Sequence, residues 1–210
     1  ETAYNDVSVC ENHHVAAAFE VMKRGQGRNI FENFNAADLK YIRNKMTKMV
    51  ISTDMALHFD HLEKLEEFNL EKHKVLKEND KTFLMWMWIC TSDLTNMTKK
   101  WTESYKWSWL VYEEFFVQGE AEKQLGITVG DLNDRKNVNI ADKQLGFIDF
   151  IVKPTFVAFS VFLPKLSRHV EQAQRNRDKW ATMISQCAKL KDNGNPLLKL
   201  FKQIEDEEDK

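Results

Sequence analysis

Apolar positions recur along this chain mostly at three- and four-residue spacing, the period of helices that bury one face. Ser8 and Glu11 have the spacing of a capping box and predict a helix from there to about Met22, followed by a loop over 23–29 that contains Gly25 and Gly27. Asn35 is the expected cap of a long helix running to roughly Glu67, with Leu39, Ile42, Met46, Met49, Val50, Thr53 and Leu57 on one broad stripe. A short charged helix is expected over 70–77. Asp80 then caps an apolar helix that begins with the run 83–90 and carries Asp93 near its end. Helices are also predicted over 100–124, around Gln144 to Ile148 up to Pro154, and after Pro164 to about Leu190, with a further apolar run over 155–163 that Pro164 ends. The stretch 126–138 has no period and reads as a surface loop. Asp192 to Pro196 reads as a turn, and 205–210 as a solvated, disordered acidic tail. No repeat or linker interrupts the pattern, so the expectation is one all-α domain.

Composition narrows the class. The chain has 210 residues, 43% hydrophobic and 30% charged, a globular balance. Its net charge of -2 gives no electrostatic footprint for nucleic acid. The apolar runs fall short of the ~20 residues a membrane helix needs. Cys10, Cys90 and Cys187 have no paired spacing and fit unpaired thiols in a reducing compartment. Without an initiator Met or a signal peptide, the sequence reads as a piece of something longer.

Candidate chemistry concentrates in 83–119, where a carboxylate, Asp93, ends a strongly apolar run. A buried carboxylate is costly unless paired, so Asp93 either meets a metal or a strong donor, or caps the next helix. Glu11-x-x-His14 has the spacing of a di-iron helix, but such a site needs a second copy, which the sequence lacks. Asp54 and His58 read as a helix-surface pair, and His61 and His73 as surface residues among Lys and Glu. Gln144 and Phe147, three apart, share a helix face. A ring that stacks on a base and an amide that donates and accepts along its edge are what a purine pocket requires. Val111 and Phe115 could form the opposing jaw. Taken alone, four such residues are more often plain core.

Taken in order, several stretches resemble the catalytic domain of the class I 3',5'-cyclic nucleotide phosphodiesterases. They are Tyr4-Asn5-Asp6-x-Ser8-Val9-x-Glu11-Asn12-His13-His14, Thr53-Asp54-Met55-x-x-His58-Phe59 and Asp93-Leu94-x-Asn96-x-Thr98-Lys99. Then come Glu113-Glu114-Phe115-Phe116-x-Gln118-Gly119, Glu122-Lys123 and Gln144-x-Gly146-Phe147-Ile148-Asp149. The resemblance implies an all-helical pocket with two divalent metals, Zn²⁺ and Mg²⁺ (or Mn²⁺), which hydrolyses cyclic AMP or cyclic GMP to the 5'-monophosphate. Carried over by position, Asp93 matches a metal ligand. Glu11 and Thr53 match holders of metal-bound water, and His14 a histidine beside the metals. Glu114 matches the glutamate that orients a general-acid histidine. Gln144 matches the purine-binding glutamine, Phe147 and Val111 the hydrophobic clamp with Phe115 beside it, and Asn96 a base contact.

The sequence departs from the family where it matters most. The motifs H-N-x-x-H and H-D-x-x-H, which supply the general acid and most metal ligands, do not occur in it. Met97 and Lys100 stand where proline is common, and Gly130-Asp131-Leu132 where Ser-Pro is common. The expected organisation is therefore the C-terminal portion of a phosphodiesterase catalytic domain over 1–190, with a short helix and acidic tail over 191–210. The expected location is the cytoplasm, with any membrane association arising elsewhere, and a homodimer is one expected assembly. Two other classes are a non-catalytic helical module that binds a nucleotide or partner, and a helical adaptor without a ligand.

Overall fold

A computed structural model describes residues 4–24, 27–68 and 76–189. It forms two compact units, Glu1–Asp93 and Leu94–Lys210, and no described residue is in a strand. The first unit holds α1 (Val9–Lys23), α2 (Ala36–Ile51), α3 (His58–Glu67) and α4 (Glu78–Asp93). The second holds α5 (Trp101–Gln124), α6 (Ile140–Phe147), α7 (Lys153–Ser160) and α8 (Ser167–Lys189). The all-α expectation is met. The 192–196 turn, the 191–210 segment, His73 and most of the 70–77 helix lie outside the described residues. Nothing is described of the Cys187 side chain.

Local chemistry explains both the agreements and the departures. Asn35 caps α2 as expected, its side chain accepting from the Asp38 N–H. The capping box at Ser8 and Glu11 does not form. Ser8 sits in left-handed conformation (φ 42°), and its hydroxyl donates to Asp54 Oδ2 at 2.7 Å. A long-range acceptor has won over the local one. The long helix expected from Asn35 to Glu67 is broken at Ser52–Asp54. There the Ser52 and Thr53 hydroxyls bond back to the Met49 and Val50 carbonyls, and Asp54 caps a 3-10 turn, Met55–Leu57, by accepting from Ala56 N–H. Three hydroxyl and carboxyl groups that compete with the helix ladder end it. Asp80 is not the cap of α4 but lies within its first turn, accepting from the Lys77 N–H.

Two further corrections concern the histidines. His58 is buried rather than on a helix surface, and His61 is half-buried against Phe83 and Trp86. Burial pushes both imidazoles below the ordinary histidine range.

The second unit closes around an aromatic core. Trp180 of α8 is fully buried and stacks on Tyr105 of α5, with Trp101 edge-on at 5.2 Å. Ile148, Val152 and Phe156 fill the space beside it. Between α6 and α7 the chain widens into a π-helix, Ile148–Val152. Such a bulge shifts the phase of the side chains that follow. A close approach fixes one glycine: a Cβ on Gly119 would collide with the Asn133 carbonyl oxygen. The loop after α5 can therefore run against that helix only where the side chain is hydrogen, and Glu122 ties the same loop down by accepting from Gly130 N–H and Asn133 Nδ2.

Candidate functional site

The residues singled out in the sequence fall into two groups, one in each unit. In the first unit Asp93 is the last residue of α4. Protein around its carboxyl desolvates it and raises its pKa, and the nearby His14 charge opposes that rise. The structure thus brings Asp93 and His14 into electrostatic reach of each other. Cys90, one turn before Asp93, donates its thiol to the Ser52 carbonyl at 2.9 Å, and burial pushes that thiol up. Glu11 is half-buried on α1 and His14 exposed beside it. The Thr53 hydroxyl spends its proton on the Val50 carbonyl, which leaves its oxygen lone pairs for an outside donor.

A divalent cation needs several oxygen or nitrogen donors converging on one point. Among the described residues no group of three or more His, Cys, Asp or Glu side chains does so. A two-metal centre therefore does not close on these residues alone, and no chemical step is assigned here to a metal.

In the second unit α6 begins where Asn139 accepts from the Asp142 N–H, and one turn on it presents Gln144. Gln144 is only 6% exposed, and its Oε1 is buried without a hydrogen-bond partner. Its side chain is hydrogen-bonded to Tyr112 of α5, so the Nε2 group must be the donor. Burial is the main reason the Tyr112 phenol is pushed up to about 12, and the Gln144 bond lowers it slightly. Tyr112 stays protonated at neutral pH and can either accept from the amide or donate to it. An unpaired buried amide oxygen is costly, and the indole nitrogens of Trp109 and Trp180 in the same unit share that state.

Phe147, three residues on, is half-buried against the core, and Phe115 and Val111 of α5 are half-buried as well. Phe115 meets Tyr112 edge-on at 5.7 Å. Glu114 is exposed on α5, and its neighbour Glu113 is engaged in a two-point pair with Arg135. Asn96 is half-buried in a 3-10 segment, Leu94–Thr98, with its Oδ1 accepting from the Met97 N–H.

Sequence reasoning missed Tyr112, Asn176 and Arg177. A signal existed for Asn176: with Ala173 and Trp180 it falls on the buried face of α8, where a polar residue needs a reason. Asp149 also appeared only as a motif letter. Its carboxylate receives the Arg177 Nε at 3.0 Å and Nη2 at 2.9 Å.

Residues 1–173 match the family model of the 3'5'-cyclic nucleotide phosphodiesterase. The chain is 35% identical over 163 residues to the human dual specificity calcium/calmodulin-dependent 3',5'-cyclic nucleotide phosphodiesterase 1C, covering 78% of this chain and 22% of that one. It is 36% identical over 163 residues to a probable 3',5'-cyclic phosphodiesterase of Caenorhabditis elegans, covering 78% and 24%. Among solved structures, the phosphodiesterase domain of the Salpingoeca rosetta rhodopsin phosphodiesterase superposes with a TM-score of 0.77 at 29% identity, over 91% of this chain and 59% of that one. The chain thus spans about a quarter of the length of these curated relatives.

Proposed function

The chain belongs to the 3',5'-cyclic nucleotide phosphodiesterase family, and from that membership we propose that it supplies the base-binding side, and one metal-side carboxylate, of an enzyme that hydrolyses cyclic AMP or cyclic GMP to the 5'-monophosphate. The observation that carries the reading is the family match over residues 1–173, within which Gln144 and Phe147 stand one turn apart on α6. The ring would stack on the purine while the amide pairs with its edge. Val111 and Phe115 would close on the other side of the base, and Asn96 Nδ2 would add a donor. An amide can turn to suit either purine. Tyr112 can follow it by exchanging acceptor for donor, so both nucleotides stand as substrates.

On the metal side, Asp93 would give its carboxylate, with Glu11, Thr53 and His14 around it. Glu114 would orient a general-acid histidine. The remaining donors for Zn²⁺ and Mg²⁺ (or Mn²⁺) would come from residues other than those described. Metals held there would supply charge neutralisation at the phosphate and an acidified water. A cytoplasmic location and a homodimer complete the proposal.

Gln144→Ala in the intact protein tests the central assignment. The expected outcome is that cyclic nucleotide affinity drops by about tenfold or more, one buried hydrogen-bonding group. Bound metal, measured by atomic emission, stays unchanged. Parallel loss of metal and nucleotide would remove Gln144 from the pocket. Titration calorimetry showing no heat with either cyclic nucleotide would remove the pocket altogether.

A further inference from the structure

The 3-10 segment Leu94–Thr98 follows Asp93 directly and carries Asn96. Short 3-10 turns leave carbonyls unpaired at their ends. Here those carbonyls are met from α8. Asn176 is 0% exposed, and its Nδ2 donates to the Met97 oxygen at 2.8 Å and the Lys99 oxygen at 2.9 Å. Its Oδ1 accepts from Gln172 Nε2 at 2.9 Å. The orientation is forced, because a reversed amide would set its oxygen against two carbonyl oxygens.

The neighbouring residue reaches a different segment. Arg177 forks onto Asp149 in the π-helix Ile148–Val152, the direct continuation of the Gln144–Phe147 turn. The 3-10 segment and the π-helix pack on each other. Two turns earlier on α8, His169 Nδ1 lies 2.9 Å from Thr98 Oγ1. That hydroxyl already gives its proton to the Thr95 carbonyl, so the imidazole is the donor.

We propose that Asn176 and Arg177 are positioning residues for the purine: from adjacent places on α8 they set the spacing between the Asn96 segment and the Gln144–Phe147 segment. The proposal rests on the base-pocket reading above. Neither side chain needs to touch the nucleotide. Asn176 acts by removing the freedom of these two carbonyls, the one at Met97 buried, to seek other donors. Arg177 acts by a planar two-point contact, which a lysine cannot reproduce.

Two variants of the intact protein decide the matter. Asn176→Asp keeps the shape but turns a double donor into an acceptor facing two carbonyls. KM for cyclic AMP and cyclic GMP is expected to rise about tenfold, with kcat within about threefold and bound metal unchanged. Arg177→Lys keeps the charge at a partly exposed site and loses the fork. KM is expected to rise about threefold with no loss of fold by circular dichroism. If Asn176→Asp does not fold, Arg177→Lys decides alone. KM within twofold of wild type in the folded variants, or equal falls in kcat and metal content, overturns the positioning role and leaves the pocket intact. If the wild-type protein binds neither nucleotide, the pocket reading falls, and the positioning role falls with it.

Discussion

The unit that carries Asp93 and the unit that carries Gln144 are built differently. The helices α1 to α4 bury few side chains completely, and α2 has no fully buried residue. The unit of α5 to α8 packs Trp180 against Trp101 and Tyr105, sets Trp109 edge-on to Tyr105, and fills in with Ile148, Val152 and Phe156. Side chains locked by aromatic packing lose little entropy on binding, so this unit offers the more rigid setting for the proposed base contact. A carboxylate keeps its charge more easily in a less enclosed setting, since full burial without a partner would protonate it. The Asp93 carboxyl sits between these limits, exposed at a helix end and yet lifted by desolvation.

The difference can be broken first at the aromatic core. Trp180→Ala removes a fully buried indole and is expected to cost about 3–5 kcal/mol. Hydrogen exchange should show amide protection falling across α5 to α8 while α1 to α4 keep theirs. Equal loss in both units would mean that they do not differ as described. Acid provides the second probe. His58 and His61 have depressed pKa values in the folded state, so the unfolded chain takes up protons first. Their contribution to stability is complete above about 6.5, the unfolded value, and is lost as pH falls through the lower folded values. Urea unfolding followed at pH 7.5 and 5.5 should show the first unit weakening, and His58→Leu should blunt the change. The smallest effect is at Ser8. Ser8→Ala deletes the 2.7 Å bond to Asp54 and is expected to cost about 1 kcal/mol, read from the shift in urea midpoint. No shift would mean that solvent satisfies Asp54 equally well.

Much of the fold was legible in the chain because helices announce themselves locally. Asn35 capped the helix it was expected to cap, and Lys100, Gln124 and Pro164 marked real boundaries. The errors at helix starts and breaks share one cause. Ser8, Ser52, Thr53, Asp54 and Asp80 are all short polar residues that can bond to their own backbone or to something distant, and sequence spacing cannot say which. The candidate site was legible to a similar degree. Gln144, Phe147, Val111, Phe115, Asn96, Asp93, Glu114, Glu11, Thr53 and His14 were all nameable from residue type and motif order. Their supports were not, because Tyr112, Asn176 and Arg177 act over separations of tens of residues.

By itself, then, the sequence determined the helical class, the family, and the residues offered for the base and the metal side. These follow from period, capping chemistry and ordered motifs, all written within a few residues of one another. Only the tertiary structure decided that Ser8 turns to Asp54, that His58 and His61 are buried, and that the Gln144 amide keeps an unpaired oxygen beside Tyr112. It alone decided that α8 holds both segments flanking the candidate pocket. The reason is physical: burial and hydrogen-bond partnership depend on groups far apart in the chain, and no local pattern records them.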